Sequence, residues 1–218
     1  LFGFPAPILF AILLNEIKNS FYKRTLQTIS YMPHFISTVV IVGLIFDFFS
    51  HEGLINQILQ SLGLITQPIS FTAEPGWFRT LYVGSGIWQN LGWGSIIYLA
   101  AISNIDPQLY EAAVIDGAGR FRQALSVTIP SIMPTIIIMF ILRVGYMMNV
   151  GFEKVYLMYS PPTYETADVI STYVYRKGLL EMDYSYGAAV GLFNSLINFV
   201  FVIVTNQLSK RTTETSLW

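Results

Sequence analysis

Four apolar runs, at about Pro33–Ser50, Arg79–Ile102, Pro130–Val150 and Tyr186–Asn206, constrain this chain more than any other feature. Each is about 18–24 residues long, enough for a helix to cross the ~30 Å hydrocarbon core of a bilayer. A fifth run, residues 1–14, gives roughly 21 Å of helix at ~1.5 Å per residue and falls short of that thickness. It starts at Leu1 without Met or a basic flank, unlike a signal peptide. The expectation is a chain that begins inside a membrane helix and is an N-terminally truncated fragment. Only 11% of residues are charged and 53% are hydrophobic, whereas soluble domains carry about a quarter charged residues. So little charge cannot solvate a globule of this size, and lipid resolves the mismatch. The predicted fold class is an all-α membrane protein with five transmembrane segments. A net charge of -1 gives no basic surface for nucleic acid, and the lack of cysteine removes disulfide and thiol chemistry.

Charge sets the orientation. Strict alternation puts residues 15–32, 103–129 and the tail from 207 on one side, with Lys18, Lys23, Arg24, Arg120, Arg122, Lys210 and Arg211. The other side holds Lys154, Arg176, Lys177 and the border residue Arg79. The excess places the first group, and with it the C-terminus, in the cytoplasm. On the outer side, Gly53, Gly63, Pro68 and Pro75 predict turns, with some helix around Leu54–Leu62. Val169, Ile170, Tyr173 and Val174 have the spacing of a short amphipathic helix at the outer interface. Tyr156, Tyr159, Tyr164, Tyr173, Tyr175, Tyr184 and Tyr186 crowd the same region. They suit an aromatic belt at the headgroup layer, or a docking surface for an external substrate-delivery protein.

The cytoplasmic segment 103–129 is a polar island between two spans. Asp106 is placed to cap a helix and Pro107 to open it. The predicted helix runs through Leu109, Tyr110, Ala112 and Ala113, and Gly117 and Gly119 break it. A second helical stretch starts near Arg120 and leads to Pro130. The result is a compact knob in which small residues, Ala112, Ala113 and Gly117, let another backbone approach. Glu111 offers a carboxylate for a charge-assisted hydrogen bond. An ordinary connector would use the same Glu and Gly only to shape a turn.

Some polar residues fall inside the predicted spans. Arg143 is costly in hydrocarbon and marks a pathway, a buried pair with a group such as Asp47, or a side chain snorkelling outward. Trp88, Gln89, Asn90 and Trp93 lie mid-segment, and Asn194 and Asn198 share a helix face at i and i+4. Amides and indoles suit sugar hydroxyls and pyranose faces; interhelical hydrogen bonding and lipid-facing Trp would use the same residues. His34 and His51, the two histidines, stand at opposite ends of one segment, too far apart to share a metal. The sequence has no zinc-protease helix, nucleophile elbow or phosphate loop. The chain therefore carries no visible ATPase or hydrolase site, and energy must come from a partner or a gradient.

Glu111-Ala112-Ala113, Asp116-Gly117 and the closing Val127-Thr128-Ile129-Pro130 resemble the EAA loop of permease subunits of ATP-binding-cassette importers, with Val-Thr-Ile-Pro where the family has Ile-x-Leu-Pro. The likeness extends over the chain. Ser30-Tyr-Met-Pro-His34, Asn149-Val-Gly-Phe-Glu153-Lys154 and Tyr164-Glu-Thr-Ala-Asp168 resemble carbohydrate-uptake permeases, in the branch that imports polysaccharides or oligosaccharides. The resemblance implies a type I importer permease helix bundle, here one domain over residues 1–218 with a coupling loop at 103–129. It implies a bacterial cell membrane, a second permease subunit, ATPase subunits that bind ATP and Mg, and an extracellular solute-binding lipoprotein. Glu111, Ala112, Ala113, Asp116 and Gly117 would couple to the ATPase. Gln89, Asn90, Arg143, Asn194 and Asn198 are candidates for the translocation pathway. The rival class, a gradient-driven secondary transporter or channel, would favour paired intramembrane acids or broken repeated helices. A membrane-embedded enzyme lacks a titratable cluster at one depth.

Overall fold

The structure is a computed structural model that describes residues 2–213 and 215–217; Leu1 of the first apolar run lies outside them. Among the described residues there are helices and turns and no strand. The α-helices are α1 (Pro5–Asn15), α2 (Ser20–Tyr31), α3 (Thr38–Phe49), α4 (Leu54–Ser61), α5 (Pro75–Ser103) and α6 (Pro107–Ile115). They continue as α7 (Arg120–Gln123), α8 (Ile129–Gly145), α9 (Phe152–Met158), α10 (Tyr164–Ala167), α11 (Ile170–Val174) and α12 (Tyr184–Thr213).

Three stretches are helical, long and apolar enough to cross a membrane: Thr38–Ser61, Arg120–Gly145 and Tyr184–Arg211. The five-segment expectation is thus met by three on length and composition. Pro5–Asn15 is apolar but has 11 residues. α5 has 29 residues, but Gln89 and Asn90 dilute its apolar character. The second segment starts later than its hydropathy suggests. Met32–Phe35 is a 3-10 turn around buried Pro33, and α3 begins only where the Ser37 hydroxyl accepts from the Val40 N–H at 3.4 Å. In α12 only 6% of the apolar window is buried. Leu192, Phe193, Leu196 and Phe199 face outward, an apolar surface that suits lipid rather than water.

The chain divides into two compact units. The first comprises residues 1–34, 87–145 and 198–218. Its core is Ala11 and Leu14 of α1, Tyr98, Leu99 and Ile102 of α5, and Ile132 of α8. The α5 residues fall at helical spacing and form one stripe. Gly92 lets α2 lie directly against α5, since a Cβ there would stand 2.2 Å from the Ser30 carbonyl oxygen. Near the C-terminus the Leu217 N–H donates to the Oδ1 of buried Asn206 at 2.8 Å.

The second unit comprises residues 35–86 and 146–197. Ile41, Val42 and Ile45 of α3 pack with Phe71, Phe78, Leu81, Val155, Met158 and Ala167. Buried Asn56 of α4 ties this unit's first loop together. Its Nδ2 donates to the carbonyls of Ser50, His51 and Ile69 at 2.9, 3.2 and 2.8 Å, and its Oδ1 accepts from the Ile69 N–H at 2.9 Å. The amphipathic helix expected at 165–178 is instead two short helices broken at Asp168–Val169 and followed by a π turn, Tyr175–Leu180. Ala167 and Thr172 are fully buried there, while Ile170 and Tyr173 are exposed.

Candidate functional site

The 103–129 loop folds as its residues dictate. The Asp106 carboxylate accepts from the Gln108 N–H at 2.9 Å and Pro107 takes the first helical position. At the other end the Ala118 N–H reaches the Ala113 carbonyl at 2.8 Å and the Gly117 N–H reaches that of Val114 at 3.0 Å. These two bonds are a Schellman motif with Gly117 at its left-handed position, φ +75°. The glycine is required by that angle; no atom lies within 4 Å of where its Cβ would be. Gly119, expected as a second breaker, has ordinary extended angles and simply precedes α7.

Three contacts brace the loop. Tyr110 Oη meets Thr128 Oγ1 at 2.9 Å, with Thr128 buried. Gln123 Nε2 donates to the Ala118 carbonyl at 2.7 Å. Arg120 lies 3.7 Å from Glu16, an exposed ion pair that contributes little. Between α7 and α8 the chain makes a π turn, Ala124–Thr128, in which the Ile129 N–H reaches back five residues to Ala124. Pro130 has no N–H to continue that register. Glu111, Ala112, Asp116 and Gly117 are exposed and Ala113 is half-buried. Sequence reasoning missed the most exposed apolar side chains beside them, Ile115 at 85% exposure and Phe121 at 79%. The signal was available: large apolar residues in a short polar loop predicted to lie in water.

The intramembrane candidates fall into separate groups. In the first unit the His34 Nδ1 lies 3.2 Å from Asn90 Oδ1, and the imidazole stacks on Trp93 at 4.6 Å and 2°. Gln89 is half-buried on the same helix. In the second unit Asn194 Nδ2 donates to Asn149 Oδ1 at 3.1 Å, and among the described residues the buried Asn194 Oδ1 has no hydrogen-bond partner. Asn198 is half-buried on α12. Arg143 is exposed near the end of α8, and among the described residues no ion pair includes it.

The tyrosines expected at the outer face pack on one another rather than forming a spread belt. Tyr156 meets Tyr159 at 5.5 Å and Tyr175 at 5.2 Å, and Tyr159 meets Tyr164 at 4.8 Å. Arg176 lies over Tyr164 and Tyr173 at 5.6 and 5.8 Å and pairs with both oxygens of Asp168 at 3.3 and 2.6 Å. Burial would raise the Asp168 carboxyl, but the hydrogen bonds from Arg176 and Thr172 prevail and hold it below the ordinary range. Lys154, read from the sequence as an outer-loop charge, is instead buried against Tyr82.

Residues 3–214 match the family model for binding-protein-dependent transport system inner membrane components. Protein LplB of Bacillus subtilis (strain 168) is 44% identical over 212 residues, covering 97% of this chain and 66% of that protein. The polygalacturonan/rhamnogalacturonan transport system permease protein YteP of the same organism is 43% identical over 216 residues, covering 99% and 67%. A chain in the crystal structure of a bacterial alginate ABC transporter, in complex with an alginate pentasaccharide-bound periplasmic protein, is 46% identical. It superposes with a TM-score of 0.95, covering 100% of this chain and 75% of that one. The chain thus spans about two thirds of the length of these curated relatives.

Proposed function

The chain belongs to the family of binding-protein-dependent transport system inner membrane components, and from that premise we propose that it is the permease subunit of an ATP-driven importer that moves a carbohydrate, an oligosaccharide, across the bacterial cytoplasmic membrane. The observation that carries this reading is the loop at Glu111–Gly117. It is a short helix closed by a left-handed glycine, tied at its base to the start of α8, with a carboxylate and two large apolar side chains facing out. A surface of that kind fits a cleft in a separate ATPase, which holds the ATP and Mg. Glu111, Ala112, Ala113, Asp116 and Gly117 make the contact on the cytoplasmic side. ATP closes the ATPase pair, the loops of this chain and of a second permease subunit are drawn together, and the spans open outward to a loaded solute-binding lipoprotein. Hydrolysis resets them. The relatives named for polygalacturonan/rhamnogalacturonan and alginate transport support a saccharide cargo.

Gln89, Asn90, Arg143, Asn194 and Asn198 line the sugar path in this reading. Its best support is Asn194 Oδ1, a buried acceptor without a hydrogen-bond partner among the described residues. A buried acceptor left unpaired is costly, and a sugar hydroxyl would satisfy it. Replacing Asn194 and Asn198 together by Leu should lower uptake about ten-fold, the equivalent of roughly one lost buried hydrogen bond. Wild-type uptake by the double variant in a fully assembled complex would remove both residues from the path.

The test of the function is purification of the full-length protein from its host membranes in mild detergent. An ATPase, a second permease and a solute-binding lipoprotein should come with it, and uptake should require ATP and stop with vanadate. Recovery of the chain alone, still transporting without ATP, would favour a gradient-driven carrier instead.

A further inference from the structure

Lys154 has no role in the coupling loop or the amide pair. It sits on α9, outside the spanning helices, and is only 9% exposed. Among the described residues its ammonium reaches Tyr82, with Nζ 3.4 Å from the Tyr82 carbonyl oxygen and 5.2 Å from the ring centroid. The α5 backbone comes close as well, since a Cβ on Gly86 would lie 3.8 Å from Nζ. Among the described residues the ion pairs go to Glu16, Asp168 and Glu181 and none includes Lys154. The adjacent Glu153 is exposed.

A buried charge normally comes with a counter-charge, because desolvation is otherwise uncompensated. Here burial alone acts, pulling the ammonium down to about 8, so it is still mostly protonated at neutral pH. A methionine of similar length would fit the same space without that penalty. A cation held this way regains its lost hydration only when an anion arrives. A neutral hydroxyl would be served as well by an amide, as at Asn194. We infer that Lys154, oriented by the Tyr82 carbonyl and ring, recognises the carboxylate of an acidic saccharide, a uronate, on its way through the permease. The inference rests on the carbohydrate-import reading and narrows its substrate class.

The test uses the whole importer in phosphatidylcholine vesicles, which contain no anionic lipid to compete for the lysine. ATP-dependent uptake is measured for galacturonate and mannuronate oligomers and for their methyl esters, which keep the skeleton and lose the charge. The wild type should take up at least one acid oligomer in preference to its ester. Lys154→Met should cut the acid-to-ester ratio about ten-fold, and Lys154→Arg should keep much of it. Lys154→Met should also leave the thermal midpoint of the complex unchanged or raise it, as removal of an uncompensated buried charge requires. Wild-type uptake confined to uncharged saccharides overturns the inference. So does a Lys154→Met variant with an unchanged ratio, or one that loses stability and all uptake together. Uptake of no saccharide at all by the assembled complex would instead defeat the import reading on which the inference stands.

Discussion

Gly117→Val should abolish transport while leaving the protein inserted in the membrane. Gly117 has φ +75°, a conformation that costs a β-branched residue about 1–3 kcal/mol. The bonds from Ala118 to Ala113 and from Gly117 to Val114 close α6 only while that angle is held. Valine therefore unwinds the last turn of the helix that presents Glu111 and Ile115. The side chain also projects into open space, where a docking partner would approach. Gly117→Asn separates the two effects, because asparagine tolerates the left-handed region yet adds bulk. Loss of uptake in the valine variant alone assigns the effect to the turn, and loss in both assigns it to docking. ATPase recovery and ATP-dependent uptake, normalised to inserted protein, are the readouts. If both survive in the valine variant, the docking role of this loop is wrong.

Gly92→Ala should be the most damaging small substitution in the first unit. The added methyl would fall 2.2 Å from the Ser30 carbonyl oxygen, 2.4 Å from its carbon and 2.8 Å from its Oγ. Two of those atoms are backbone and cannot rotate aside, so α2 must move off α5. Overpacking of this kind costs about 1–3 kcal/mol, and a backbone clash belongs at or above the upper end. Gly84→Ala is the control. It lies on the same helix with nothing within 4 Å of the new methyl, and alanine is favoured over glycine in a helix by roughly 0.5–1 kcal/mol. Thermal unfolding in detergent should show the midpoint falling for Gly92→Ala and holding for Gly84→Ala. An unchanged Gly92→Ala midpoint would mean that α2 does not rest on α5.

The parts of the molecule governed by nearby residues were legible in the sequence. Asp106-Pro107 and Gly117 mark the two ends of α6, since a cap and a left-handed closure need only neighbours in the chain. Leu54–Leu62 was likewise read as helix and is α4. Hydropathy placed the second span too early because it registers apolar character and not the Ser37 cap or the 3-10 turn at Pro33. It gave five segments where three stretches qualify, because α1 has only 11 residues and because Gln89 and Asn90 lower the apolar content of α5 without interrupting its helix. Lys154 was unreadable for another reason. A lysine in an outer loop reads as solvated, and only the packing of α9 against Tyr82, 72 positions away, buries it. Asn149 was invisible for the same reason, lying 45 positions from Asn194. The tyrosines were counted correctly, but their clustering around Arg176 is a tertiary fact.

The bracing of the loop determines where slack can exist in it. Gln123 on Ala118 locks the tip and α7 into one piece, and Tyr110 on Thr128 latches α6 to the last residue of the π turn. The π turn at Ala124–Thr128 carries one surplus residue per turn ahead of α8, and compliance there requires that latch to open. A π turn that relaxes to α register rotates everything downstream by about 100°, one residue's worth of helix. In the proposed coupling role, a stroke arriving at Gly117 would then be delivered to α8 as torque, changing which side chains it presents while its depth in the membrane stays the same.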